Sequence, residues 1–133
     1  MSIGRRLFAF AMLAMLAVSV RAAPMERTVL ALYDGSAGDR IDGSAVRATL
    51  VHRLAEMPLN HLGLKVQYHD ISQGLPEPAE LEGIRGVFTW FRDDRVPRPR
   101  AYMDWAEMAL DQGLRYVVMG NPGVSSGGQG PAF

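Results

Sequence analysis

Four short apolar runs, Thr28–Tyr33, Leu64–Tyr68, Arg85–Phe91 and Leu114–Met119, alternate with longer polar stretches, two of which carry helical periodicity. That alternation constrains the fold more than any other feature of the chain. Short runs rich in Val, Leu, Phe and Tyr and bounded by Gly, Asp and Pro are strands. In the second run, Lys65 and Gln67 share one face. From Ser44 to Met57, the residues Val46, Leu50, Leu54 and Met57 recur at intervals of four, four and three. This predicts a helix with one buried stripe, capped by Asp42 or Ser44 and closed by Pro58, with Gly63 just beyond. Arg100 to Gln112 predicts a second helix: Tyr102, Trp105, Ala106 and Ala109 share one face, and Asp104, Glu107 and Asp111 the other. Gly113 is placed to stop it in the left-handed conformation. A short helix is expected at Ala79–Glu82.

The element order is then β-α-β-(α)-β-α-β, with connections long enough for crossovers. Such alternation means an α/β fold of three layers around a mainly parallel sheet of about four strands. The arrangement is flavodoxin-like. Sheets of that kind usually have five strands, so the pattern suggests a truncated unit with a further domain missing from this chain.

The domain is expected over residues 27–121, between two segments of different character. Residues 1–22 have the three-part layout of a secretory signal peptide: basic Arg5 and Arg6, the 14-residue run Leu7 to Val20, and small residues at Val20 and Ala22. As a helix that run would span roughly 21 Å, short of a hydrocarbon core of roughly 30 Å, so stable membrane insertion after cleavage is not expected. Residues 122–133 form a Gly-rich tail. The chain has no cysteine, which excludes a disulfide scaffold and thiolate chemistry. An exported protein, periplasmic or extracellular, is the expectation. The formal charge of zero belongs to the precursor, because removing Arg5, Arg6 and Arg21 leaves 11 basic residues against 14 acidic ones. A mildly acidic domain has no electrostatic reason to bind nucleic acid.

Ligands of open parallel sheets sit outside the carboxyl ends of the strands. Those ends carry Asp34, His69 with Asp70, Arg92 with Asp93, and Asn121, with Trp90 adjacent. Carboxylates accept hydrogen bonds from hydroxyls, and an indole face packs on the apolar face of a pyranose, so this set suits a sugar. Turn chemistry alone also places Asp after a strand, and that alternative stands beside it. A catalytic version would place Asp34, Asp70 and Asp93 around a crevice, with two carboxyls facing at roughly 5–10 Å and one held protonated.

Other constellations fail on spacing or context. His52, His61 and His69 do not form a paired helical ligand set, although His52 and Glu56 are four apart and His69–Asp70 could ligate from a strand end. His52 is expected on a helix surface and His61 in a loop, and neither a metal nor a cofactor is expected. Gly123-Val-Ser-Ser-Gly127 matches G-x-S-x-G, but no helix, acid or His follows it. Gly35-Ser-Ala-Gly38 lacks the Lys and the spacing of a phosphate loop.

The phrases Ala31-Leu-Tyr-Asp34, His52-Arg-Leu-Ala-Glu-Met-Pro-Leu-Asn-His-Leu-Gly63, Tyr68-His-Asp-Ile71, Gly86-Val-Phe-Thr-Trp-Phe91 and Gly113-Leu-Arg-Tyr-Val-Val-Met-Gly120 carry a family resemblance. Over residues 27–121 the chain resembles the N-terminal region of large exported bacterial proteins associated with exopolysaccharide. In these, a flavodoxin- or glutamine-amidotransferase-like domain precedes a polysaccharide-deacetylase-type module. The resemblance implies a location and a pathway, with polysaccharide as the partner. It implies no activity here: the deacetylase module lies in sequence this chain lacks, and an amidotransferase needs a Cys nucleophile. The expected role is a non-catalytic glycan-binding or scaffold domain. The alternative is part of a carbohydrate-active hydrolase or deacetylase.

Overall fold

The computed structural model describes residues 26–38, 40–41 and 43–125. The signal-peptide expectation, Asp42 as a cap and the tail beyond Ser125 lie outside the described residues. The strands are β1 (Thr28–Tyr33), β2 (Lys65–Asp70), β3 (Ile84–Thr89) and β4 (Arg115–Val118). The helices are α1 (Ala45–Ala48), α2 (Glu56–His61) and α3 (Pro99–Asp111). A π-helical turn, Val51–Ala55, joins α1 to α2, and a 3-10 turn, Pro78–Leu81, precedes β3.

All four strands are parallel, in the order β2-β1-β3-β4, so the architecture is the expected α/β fold of three layers, consistent with a flavodoxin-like sheet. From β1 the chain steps one way to β2, and from β3 the other way to β4. Right-handed crossovers then put the connecting helices on opposite faces of the sheet. Alternate residues of the central strands divide between the layers accordingly. Val29 and Ala31 of β1 with Phe88 of β3 pack against Val51 and Ala55 of the first crossover. Leu30, Leu32 and Val87 pack against Tyr102, Trp105 and Ala109 of α3. Each large side chain buried in this way contributes about 1.5–3 kcal/mol.

The α3 layer follows the expected pattern. Tyr102, Trp105 and Ala109 are its buried face, and the Trp105 Nε1–H donates to the Pro76 carbonyl at 2.8 Å. The hydroxyls of Tyr102 and Tyr116 pair at 2.8 Å. Burial raises the Tyr102 phenol, partly offset by the hydroxyls of Tyr116 and Thr89. The Thr89 hydroxyl is fully buried and completes no hydrogen bond of ordinary geometry, so its contact with Tyr102 is a weak one. Gly113, at φ 83°, ends α3: its N–H reaches the Leu110 carbonyl at 2.8 Å and the Leu114 N–H reaches that of Ala109 at 3.1 Å.

The first crossover corrects the sequence reading. Its buried residues are Ala48, Val51 and Ala55, whereas Leu54 and Met57 of the expected stripe are 55% and 76% exposed. The cause is Thr49, which leaves the helix at φ −68°, ψ 149°. Its hydroxyl donates to the Val46 carbonyl at 2.8 Å and accepts the His52 N–H at 3.1 Å, closing α1 and starting the next turn. The restart resets the helical phase. Pro58 does not close the helix either; it lies inside α2. The wider turn before it carries the chain past a residue that has no N–H and would crowd the Leu54 carbonyl in a regular helix. Gly63, at φ 74°, supplies the stop. Ser44 caps the start, accepting the Arg47 N–H at 3.4 Å.

Gly86 sits where the β1–β3 register shifts, and a Cβ there would lie 2.5 Å from the Arg115 carbonyl oxygen of β4. Only glycine lets the two backbones approach so closely. Beyond β4 the chain folds back on the β3–α3 loop through antiparallel bridges Phe91–Asn121 and Arg95–Val124, so Gly123 is buried.

Candidate functional site

Strand order reverses between β1 and β3, and the carboxyl ends of these two strands open onto a crevice of about 180 Å³. This is the position where open α/β sheets hold ligands. Tyr33 and Asp34 form the β1 wall, Trp90, Arg92 and Asp93 the β3 wall, and Thr49 and Val51 the wall of the first crossover. The volume is below the roughly 300–1,000 Å³ of sites that enclose a drug-sized ligand. The crevice therefore suits one small ring or side group, with the remainder of a larger ligand outside.

The crevice's polar groups are held in place by short local bonds. Asp34 Oδ1 accepts the Ser36 N–H at 2.9 Å and the Ser36 hydroxyl at 2.6 Å. Asp93 Oδ1 accepts the Arg95 N–H at 3.1 Å. In each case the turn occupies one carboxylate oxygen. Arg92 spans the opening, donating from Nη2 to the Ala48 carbonyl at 2.9 Å, and so links the β3 loop to the last turn of α1. Trp90 is half-buried, and an ideal Cβ on Gly120, at φ 64°, would lie 3.1 Å from its Nε1. The absent side chain at Gly120 leaves room for the indole.

Of the residues expected at this edge, Asp34, Trp90, Arg92 and Asp93 come together as lining of the crevice. The other three are engaged in holding loops. His69 donates from Nε2 to the Gly74 carbonyl at 2.9 Å. Asn121 Oδ1 accepts the Gly123 N–H at 2.8 Å. Asp70 Oδ1 accepts the N–H of Gly35 at 2.8 Å and of Ser72 at 3.0 Å, tying the end of β2 to the turn after β1. A Cβ on Gly35 would overlap the Asp70 carboxylate, so this contact depends on glycine. Burial pushes the Asp70 carboxyl up, but the Ser72 hydroxyl, the Gly35 and Ser72 N–H groups and nearby His69 outweigh it and hold it below the ordinary value. That is the reverse of what a general acid requires.

Sequence reasoning missed Tyr33, Thr49, Val51 and Arg95 as lining residues. Tyr33 was legible as the last residue of a strand, but Thr49 and Val51 depend on the break in the first crossover. His61 ends α2 rather than lying in a loop. His52 is half-buried and bonded to Glu56. Among the described residues, no three His, Asp or Glu side chains are grouped to hold a metal ion. Among the same residues, no helix is long and apolar enough to cross a membrane. Comparison with protein-family models, with curated proteins and with solved structures gives no match to this chain.

Proposed function

We propose that this chain is an exported, non-catalytic glycan-binding domain of an exopolysaccharide-associated protein, and that the β1–β3 crevice is its sugar site. The observation that carries this reading is the shared position of Trp90 with Asp34, Asp93 and Arg92 in one opening. An indole offers an apolar face to a pyranose, and the flanking groups offer both acceptors and a donor to its hydroxyls. Asp34 and Asp93 balance Arg92 and Arg95, so the formal charge around the opening favours no strongly charged ligand. Size agrees: a single ring enters, and a polymer continues outside.

A glycan-retention assay tests the reading. Wild type is expected to migrate more slowly through gels containing soluble exopolysaccharide, and Trp90→Ala to lose most of that retention. Wild type retained on no glycan would leave a scaffold role and remove the binding one. Equal retention of wild type and Trp90→Ala would place any binding away from the crevice. Export is tested separately, by N-terminal sequencing of the secreted protein, with cleavage after Ala22 expected.

A further inference from the structure

We propose that Glu56 is a positioning residue for the crevice, holding two of its walls from behind through His52 and Tyr68. The inference rests on the reading of the crevice as a binding site. Glu56 lies at the start of α2, outside the lining of the crevice. One of its oxygens, Oε2, accepts both the Nδ1–H of His52 and, at 2.8 Å, the hydroxyl of Tyr68. Each partner leads to a different wall. His52 follows Val51 in the π-helical turn, and Val51 is fully buried and lines the crevice. The Tyr68 ring meets Tyr33 edge-on, with centroids 6.3 Å apart and planes at 72°, and Tyr33 is the β1 wall. The His52 ring also meets Tyr68 edge-on, at 6.3 Å and 65°, so the three side chains form one packed unit.

The first crossover needs such a clamp. Its buried residues, Ala48, Val51 and Ala55, are small; of its larger apolar residues, Leu54 and Met57 face outward and Leu59 is only partly buried against the core. The break at Thr49 and the π-helical turn remove the regular bonding that would otherwise fix its rotation. Burial, with the hydrogen bond to Glu56 and its charge, drives the Tyr68 phenol far above its ordinary value, so the hydroxyl remains a donor. A carboxylate acceptor shared by two donors outweighs a neutral pair, because each bond is charge-assisted.

The chain's two tryptophans make the test selective. Trp90 lines the crevice, and Trp105 lies on the opposite face of the sheet, bonded to Pro76. Full-length protein labelled with 5-fluorotryptophan gives two fluorine resonances, assigned through Trp90→Phe. Tyr68→Phe keeps the ring against Tyr33 and removes the donor; Glu56→Gln keeps the shape and removes the charge. In both variants the Trp90 resonance is expected to shift and broaden while that of Trp105 stays fixed. Retention on soluble exopolysaccharide should weaken about five- to tenfold, the worth of roughly one hydrogen bond. A Trp90 resonance unchanged in both variants overturns the proposal, as does an equal response at Trp105. If Glu56→Gln fails to fold, Tyr68→Phe decides alone. If wild type binds no exopolysaccharide, the crevice reading fails, while the selective response of Trp90 still judges the clamp.

Discussion

Replacing Asp70 by Asn isolates the contribution of a charge to the architecture of the strand ends. The carboxylate accepts two backbone N–H bonds, from Gly35 and Ser72, and the Ser72 hydroxyl. Hydrogen bonds to a charged group are worth about 1.5–3 kcal/mol when buried. Asp70 is only partly buried and solvent screens it, and an Asn carbonyl oxygen still accepts both N–H groups that share Oδ1, losing only the charge, so a net loss of about 1 kcal/mol is expected. For a domain of this size that is a fall in Tm of about 4–8 °C near neutral pH. The sign of the pH dependence comes from the depressed carboxyl of the folded state. The unfolded chain binds a proton there more readily, so stability rises with pH across the interval between the two values. The contribution is complete above the unfolded value of about 3.9 and is lost as pH falls through the folded one. Thermal melts of wild type and Asp70→Asn should therefore differ at neutral pH and converge under acid. A difference that persists unchanged at the lowest pH, or is absent at neutral pH, would refute the assignment of a charge-assisted tie.

Other substitutions probe the remaining parts of the frame. Gly86→Ala places a methyl group against the Arg115 carbonyl and should cost about 1–3 kcal/mol, with the fastest rise in amide exchange along β4. Arg98 holds φ 53° ahead of Pro99, so Arg98→Gly should raise stability by up to about 1 kcal/mol in a denaturant melt. Trp105→Phe leaves the Pro76 carbonyl without its donor and should lower stability by about 1–3 kcal/mol.

The parallel sheet was legible because short apolar runs alternate with connections long enough for crossovers, two of them with helical periodicity. The α3 layer was legible for a related reason: its aromatic residues fall on one face, and Gly113 marks its end. The first crossover was not. Leu50, Leu54 and Met57 make a convincing stripe on paper, but Thr49 spends its hydroxyl on capping two turns and rotates the second relative to the first. Small residues, Ala48 and Ala55, then take the buried positions, and hydrophobicity alone gives them little weight. The lining of the crevice was legible in part. Strand ends located Asp34, Trp90, Arg92 and Asp93, because position along a strand fixes them. His69, Asp70 and Asn121 occupy equivalent ends, yet their hydrogen bonds to neighbouring loops engage them locally. Spacing placed His52 and Glu56 together, but only the sheet brings Tyr68 to them.

The crevice between β1 and β3 as a sugar site is tested most directly by a titration of isotope-labelled protein with soluble exopolysaccharide, followed through its backbone amides. The account predicts saturable shifts confined to Asp34, Trp90, Arg92 and Asp93 and their immediate neighbours. Shifts clustered on α3 or β4, or no saturable shift at any amide, would contradict it.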